Sequence, residues 1–557
     1  MATFRRWFAA LAMLALVAGL ASAQIGIGTG GPGAPLACSV SATSVPTISP
    51  EGFAELLGDA LITCTGGPTM LSGILVPTTN VNLAITPSSA TITSRLFNSG
   101  TNLSEALLLI DDPGSGLTTG VVGPYGPKAT QTLCANIAGC PAYVGTDPGT
   151  AGGPYQVMVS SSGGSAPAAN VYQGYVNQVL PNWVTFYGVP VLPPVISGVS
   201  RTFRITNIRI PAVGMTVGQA ITFGFQTSPY EVLPVAFGGN IAIVGSPMSA
   251  GVNSAPTGGK SPFSQCAAPT APQLSAQVRF TEGFQTAFKT RVAPLTNSAL
   301  ASTVPNTGSP GQNIPGSIYS SFVANNQSGF ILPSDTVTIG SAAYTAGLAD
   351  YGTRLKAVFT NIPAGVTLYV STSNASGYAV PGGTNTAPYA VLVAANPSTD
   401  AISDGAALTP VTSILTGSDG LFAYPLAPTA GVAAAVWEVV NANPGAIDTL
   451  TFSVYVSYAS GAPAPVTTGM PIPNVALCLA AEPGGGSFSA AQGPTALTSP
   501  VPRYGILAPQ QGPWVTIALC AAVPAISPAG LLALGVLLAA LGAWTLAGRR
   551  APQNASP

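Results

Sequence analysis

The sequence predicts an all-β protein: tandem β-sandwich domains of Ig-like type, with an N-terminal signal peptide and one C-terminal transmembrane helix. Three features carry that expectation. Apolar and polar residues alternate with a period of two along many short runs. Gly, Pro, Asn and Ser break those runs at close intervals. Only the two termini hold long uninterrupted apolar stretches.

Residues 1–23 follow the order of a secretory leader. Arg5 and Arg6 form a basic start, Trp7 to Leu20 an apolar stretch, and Ala21-Ser22-Ala23 the small residues a signal peptidase requires, with cleavage before Gln24. The stretch is short for a hydrocarbon core of about 30 Å, which weighs against a permanent anchor at this end.

The body then alternates. Val81, Leu83 and Ile85 are interleaved with Asn82, Ala84 and Thr86, and Ile221, Phe223 and Phe225 repeat the pattern. Leu355, Ala357 and Phe359 precede a turn at 361–365, and Val366, Leu368 and Val370 follow it. The longest run is Leu450, Phe452, Val454, Val456 and Tyr458, with Thr451, Ser453, Tyr455 and Ser457 expected to face water. Helical patterning is confined to single turns at Pro50–Asp59 and Phe280–Phe288. Softer composition near Met248–Pro262, Asn297–Pro315 and Gly485–Pro500 divides the body into β-sandwich regions at 24–265, 266–395 and 396–520. Phe203–Phe225 and Leu355–Val370 share a strand, a Thr-Asn-Ile turn and a second strand, the pattern of a worn internal repeat.

The C-terminal segment, 521–557, contains an uncharged stretch from Ala529 to Gly548, which at 1.5 Å per residue is long enough to span a bilayer as a helix. Arg549 and Arg550 stop it, and a basic stop stays cytoplasmic, so the body is expected outside the membrane. Val523-Pro524-Ala525-Ile526-Ser527, the apolar helix and the paired arginines together resemble the IPTL-CTERM type of bacterial C-terminal sorting domain, similar to the PEP-CTERM signals processed by exosortases. The resemblance implies membrane attachment through this helix and a sorting protease as partner. It covers only this end of the chain.

Composition narrows function. Charged residues make up 6% of the chain, against about 25% in an ordinary soluble domain. Acidic residues number 17 and basic residues 16, four of the latter (Arg5, Arg6, Arg549, Arg550) lying at the termini. No Lys/Arg cluster exists to displace phosphate counterions, so nucleic acid is not an expected partner. Histidine is absent, which removes Ser-His-Asp and Cys-His catalysis and His-ligated metals. Carboxylate chemistry is what remains, and Asp111, Asp112, Glu231, Glu438 and Asp448 are its candidates by residue type. Each is better read as a turn or strand-edge residue; Asp111-Asp112-Pro113-Gly114 follows the apolar run Leu107–Ile110, where a turn belongs. Asp400–Gly405 and Ser418-Asp419-Gly420 hold carboxylates beside glycine but lack the ligand spacing of a calcium loop, and also read as turns. Tyr155, Tyr172, Tyr175, Trp183 and Tyr187 are dense enough for a sugar platform, although core packing is the commoner use of such residues.

The seven cysteines (38, 64, 134, 140, 266, 478 and 520) suit an exported chain with bridges. Cys38–Cys64 and Cys134–Cys140 are the expected pairs, with Cys478–Cys520 in the last region and Cys266 left over. Neither a CxxC pair nor a histidine is present to build a zinc site. The combined expectation is a bacterial protein at the cell surface, non-enzymatic and without cofactor, that is structural or adhesive through self-association or extracellular polysaccharide. The alternatives are a carbohydrate-binding protein and a carboxylate-based hydrolase.

Overall fold

The computed structural model describes residues 35–98, 102–113, 126–127, 129, 131–146, 157–161, 168–195, 198–235, 237–246, 248–254, 271–290, 332–339, 342–347, 352–362, 365–374, 387–394, 415–443, 445–458, 474–479 and 510–513. The leader, the sorting motif Val523–Ser527, the apolar C-terminal stretch with Arg549 and Arg550, and Cys266 and Cys520 lie outside them. No helix among the described residues is long and apolar enough to cross a membrane. Those residues are organised as strands.

The first body contains β1 (Ala37–Ala42), β2 (Thr47–Ile48), β3 (Glu55–Leu56), β4 (Ala60–Thr65), β5 (Thr78–Thr86), β6 (Leu96–Asn98), β7 (Leu103–Ile110), β8 (Leu133–Cys134), β9 (Tyr143–Thr146), β10 (Val157–Ser160), β11 (Val171–Val176), β12 (Trp183–Pro190), β13 (Ser200–Thr206), β14 (Arg209–Ile210), β15 (Ala220–Ser228) and β16 (Phe237–Val244). Twelve of these form one sheet in the order β1-β4-β13-β7-β11-β12-β5-β15-β16-β2, with β6 on β7 and β8 on β11. β1 and β2 are consecutive in the chain yet stand at opposite ends of that order. Residues 43–46 bridge them only because the sheet curls until β1 lies beside β16. This body is therefore a single wrapped sheet, not the two separate sheets of a sandwich.

In the first body the apolar residues of the expected alternation turn inward. Val81, Leu83 and Ile85 of β5 and Ile221 and Phe223 of β15 point into the enclosed core. β7, in the middle of the sheet, is buried on both faces: Ala106, Leu108 and Ile110 join the main core, while Leu107 and Leu109 pack on Val171. Cys38 and Cys64 stand opposite each other across β1 and β4 and are bonded, pinning an edge strand, and Cys134–Cys140 closes a short loop after β8.

The second body comprises β17 (Ser249–Ser254), β18 (Gln273–Thr281), β19 (Leu332–Ile339), β20 (Ala342–Ala346), β21 (Arg354–Thr360), β22 (Val366–Ser371), β23 (Tyr389–Ala394), β24 (Leu415–Thr416), β25 (Phe422–Pro425), β26 (Ala433–Asn441), β27 (Thr449–Tyr458), β28 (Asn474–Leu479) and β29 (Gln510–Pro513). Two sheets, β17-β18-β27-β22-β25-β24 and β23-β26-β21-β28-β29, face one another over one core. This is a β-sandwich. Trp437 of β26 stacks on Phe452 of β27 with ring centroids 4.2 Å apart, and Phe280 of β18 meets the same pair. The buried indole N–H donates to the Ser371 carbonyl at 2.9 Å.

Four local expectations need correction. The regions 266–395 and 396–520 do not stand apart, because β21 pairs with β26 and β28, and β22 with β27. Antiparallel pairing between distant segments leaves no signature in local composition. The first region also ends earlier than 265, since β17 already pairs with β18 in the second body. Ser453, Tyr455 and Ser457 do not face water: β27 is central, and its outer face is covered by Tyr369, Ala423 and Leu274. Finally, the segments at 50–59 and 280–288 hold turns and short strands in place of helical turns.

Candidate functional site

The scarce charges of this chain point inward. Among described charged side chains, only Glu51, Glu231, Arg279, Lys356 and Asp419 escape full burial. That inverts the usual distribution, in which Lys, Glu, Arg and Asp stay wet unless paired. Each buried charge is accordingly met by a partner.

One network closes the end of the first body. Asp111 and Asp112 follow β7 with φ of 58° and 50°, a left-handed bend that aims both carboxyls at β13. Arg204 Nε donates to Asp112 Oδ1 at 2.6 Å, its Nη1 lies 3.5 Å from Asp59 Oδ2, and Arg201 Nε lies 3.4 Å from Asp111 Oδ2. Burial raises the pKa of Asp59 and Asp111 despite the arginines, whereas Asp112 and Asp59 hold Arg204 above its ordinary value against the burial that opposes its charge. A second network centres on Glu105 of β7, which accepts from Arg209 Nε at 2.9 Å and from the backbone N–H groups of Arg95 and Gly347. Burial opposes its charge, but Arg209 and Arg95 outweigh it and hold its pKa down.

The third cluster lies where the two bodies meet. Each body contributes the triplet Glu-Gly-Phe, at 51–53 and at 282–284. In the first, the turn at Ser49–Gly52 leads into β3, and Glu55 Oε2 accepts the Ser49 N–H at 3.1 Å. In the second, Glu282 leaves β18 and accepts the N–H groups of Phe288 at 2.6 Å and Asp448 at 2.8 Å. That closes a loop which carries Lys289 across to the first body. Lys289 Nζ stops 3.7 Å from Glu55 Oε2, with both side chains 2% exposed, and 5.8 Å from the centroid of Phe284. Burial pushes the Lys289 amine below its ordinary value, with Glu55 and Glu282 pulling the other way. Burial pushes Glu282 up to about 7; it also pushes Glu51 to about 7, helped by the neighbouring Glu55 charge. Glu51 Oε2 is buried without a hydrogen-bond partner.

The carboxylates singled out in the sequence are not brought together. Asp111 and Asp112 serve the arginines of β13. Glu438 of β26 is clasped by Arg354, whose Nε and Nη2 lie 3.1 and 3.0 Å from Oε2, and accepts the Gly352 N–H. Asp448 accepts the Asn443 N–H at 2.6 Å, and Glu231 is exposed. Asp419, in the Ser418-Asp419-Gly420 turn, accepts from Tyr455 Oη at 2.7 Å, from Ser453 Oγ at 2.6 Å and from the Leu421 N–H, so its oxygens are already engaged. Burial and Asp419 together raise the Tyr455 pKa. Asp400–Gly405 lies outside the described residues. Among the described residues no group of three or more metal-ligating side chains gathers. Of the aromatic candidates, Tyr172 is core, bonded to Tyr143 Oη at 3.1 Å, while Tyr175 and Tyr187 form a half-buried pair with centroids 6.0 Å apart. Trp183 is half-buried and Tyr155 is outside the described residues. The junction cluster escaped the sequence reading, and the repeated Glu-Gly-Phe triplet was the signal that marks it.

No family model matches the chain, and no curated protein does. Among solved structures, the C-terminal domain of the Streptococcus agalactiae antigen I/II polypeptide BspA is similar at 7% identity and a TM-score of 0.21, covering 80% of this chain and 96% of that one. The C-terminal domain of the Streptococcus pyogenes antigen I/II-family protein AspA gives 9% identity and a TM-score of 0.21, covering 80% and 95%. Superpositions at that level carry no argument about fold or role.

Proposed function

We propose that this chain is an exported, envelope-held protein whose β bodies act as a structural or adhesive surface and perform no catalysis. The observation that supports this reading is the inward placement of charge. Among the described residues most carboxylates and arginines are consumed in holding strands together, leaving an outer surface made mainly of neutral polar and apolar groups. Exposed Leu71, Ile74, Leu75, Val179, Tyr230 and Phe422 stand on it. A surface with so little charge has weak repulsion from its own copies and from neutral polymers. The disulfides suit an oxidising compartment. Val523–Ser527 acts in this reading as the sorting motif and Arg549-Arg550 as the membrane stop.

The test is localisation together with adhesion. Full-length protein is expected in the envelope, and a chain truncated before Pro524 in the medium; persistent membrane attachment of the truncated form contradicts the sorting role. Cells displaying the protein are expected to aggregate or to retain extracellular polysaccharide more than cells lacking it, and equal behaviour contradicts the adhesive role. A carbohydrate-binding reading is favoured by one observation, the half-buried Tyr175–Tyr187 pair on β11 and β12. It predicts saturable glycan binding that falls about twofold to tenfold in Tyr175→Ala or Tyr187→Ala, since an aromatic ring contact contributes about 0.5–1.5 kcal/mol beyond area burial.

A further inference from the structure

We propose that Lys289 and Glu55 are joined by an intramolecular amide, a covalent strap from Lys289 Nζ to the Glu55 side-chain carbonyl carbon that fastens the second body to the first. The inference does not rest on the adhesive role. It rests on how the two groups are held. The Lys289 backbone is fixed on both sides, its N–H donating to Thr353 Oγ1 at 2.8 Å and its carbonyl accepting the Thr353 N–H at 2.8 Å. The side chain is enclosed and ends 3.7 Å from Glu55 Oε2. Glu55 is held equally firmly: Oε2 takes the Ser49 N–H, and Oε1 lies so close over Gly52 that a Cβ there would overlap it.

A lysine and a glutamate enclosed together carry the desolvation cost of two charges, and an ion pair offsets that cost only with good geometry. At 3.7 Å this pair is looser than a charge-assisted hydrogen bond, typically about 2.7–2.9 Å. Proton transfer turns the pair into an amine and a carboxylic acid, and condensation turns these into a neutral amide. Enclosure favours each step. Held within contact distance, the two groups react at effective concentrations that reach about 10⁵ M and above in oriented intramolecular systems.

The bookkeeping closes without any further reagent. The Nζ lone pair attacks the Glu55 carboxyl carbon, and charge gathers on Oε2, where the Ser49 N–H already points. The C–Oε1 bond breaks, Oε1 leaves as water with protons from the amine and the acid, and the N–C bond remains. Two acids flank the pair, Glu282 on the lysine side and Glu51 on the glutamate side. Glu282 is fixed there by the Phe288 and Asp448 N–H groups and Glu51 Oε2 is buried with no hydrogen-bond partner, so these carboxyls are the groups suited to take a proton from nitrogen and return one to the departing oxygen.

The decisive measurement is the intact mass of the purified full chain after reduction of its disulfides. The expected mass is one water below that of the same mature sequence, and digestion is expected to yield a branched peptide joining Lys289 to Glu55. Cleavage between the bodies, within residues 255–270, should leave fragments that stay together in a reducing, denaturing gel. Full mass, with Lys289 recovered as a free amine by labelling under denaturing conditions, overturns the proposal from the wild-type protein alone, whatever the variants do. Lys289→Met and Glu55→Ala are expected at full mass. Glu282→Gln, folded by circular dichroism, is expected to remain largely unlinked, and complete linkage in that variant removes the proton-carrying role assigned to Glu282.

Discussion

Burying a carboxylate raises its pKa unless cations or N–H groups answer the charge, and Glu105 and Glu51 take the two outcomes. Glu105 has Arg209 and Arg95 and stays ionised; Glu51 has Glu55 beside it, no bond to Oε2, and a pKa near 7. Glu282 also sits near 7. A pKa raised on folding means the native chain keeps protons the unfolded chain has released. Stability from these groups is therefore complete below about pH 4.5 and is lost as pH rises through about 7. Asp59 and Asp111, also raised, act in the same sense. The denaturant midpoint is expected to be higher at about pH 5.5 than at about pH 8, with a flatter profile in Glu51→Gln and Glu282→Gln. A midpoint that climbs across that interval would contradict the assignment. Little of this was readable from the chain. The turn at Asp111-Asp112 was, because its cue is local, but the arginines that meet it arrive on β13, some ninety residues later, and no local pattern announces them.

Strand periodicity was the most legible layer at the level of elements. β5, β21 and β22 bury the residues their alternation selects, and β15 buries Ile221 and Phe223 with Phe225 half-buried beside them. The same alternation does not say whether a second face is wet or covered, since that depends on a strand's place in its sheet. β27 shows the limit: it is flanked by β18 and β22, and its serines and Tyr455 are buried under Asp419 and Tyr369. Register was equally unreadable. Trp437 on β26 reaches Phe452 on β27 across the space between the sheets, so this contact measures whether the two sheets share one core. Trp437→Ala should cost about 3–5 kcal/mol and Trp437→Phe considerably less, because the phenyl ring keeps the stack but loses the bond to Ser371. Urea unfolding followed by far-ultraviolet circular dichroism checks both. A loss under about 1 kcal/mol for the alanine variant would mean that the sheets do not depend on this contact.

At the scale of the molecule, a chain with 6% charged residues has spent most of its described charge on internal pairs, and its contacts with other molecules follow from that. Attraction between copies must come from apolar and neutral polar groups, such as Leu71, Ile74 and Leu75 near the β9–β10 hairpin. Charge-driven association weakens as salt shortens the screening length from about 10 Å at 0.1 M to about 3 Å at 1 M, whereas apolar association does not. Salts excluded from protein surface, such as ammonium sulfate, strengthen apolar burial instead. Self-association measured by sedimentation is therefore expected to change little with sodium chloride over that range, to increase with ammonium sulfate at matched ionic strength, and to weaken when Leu71, Ile74 and Leu75 are replaced together by serine. Dissociation by sodium chloride alone would place the contact on charged groups, of which Glu231, Arg279 and Asp419 are the exposed ones among the described residues, and would remove the link between inward charge and outward adhesion.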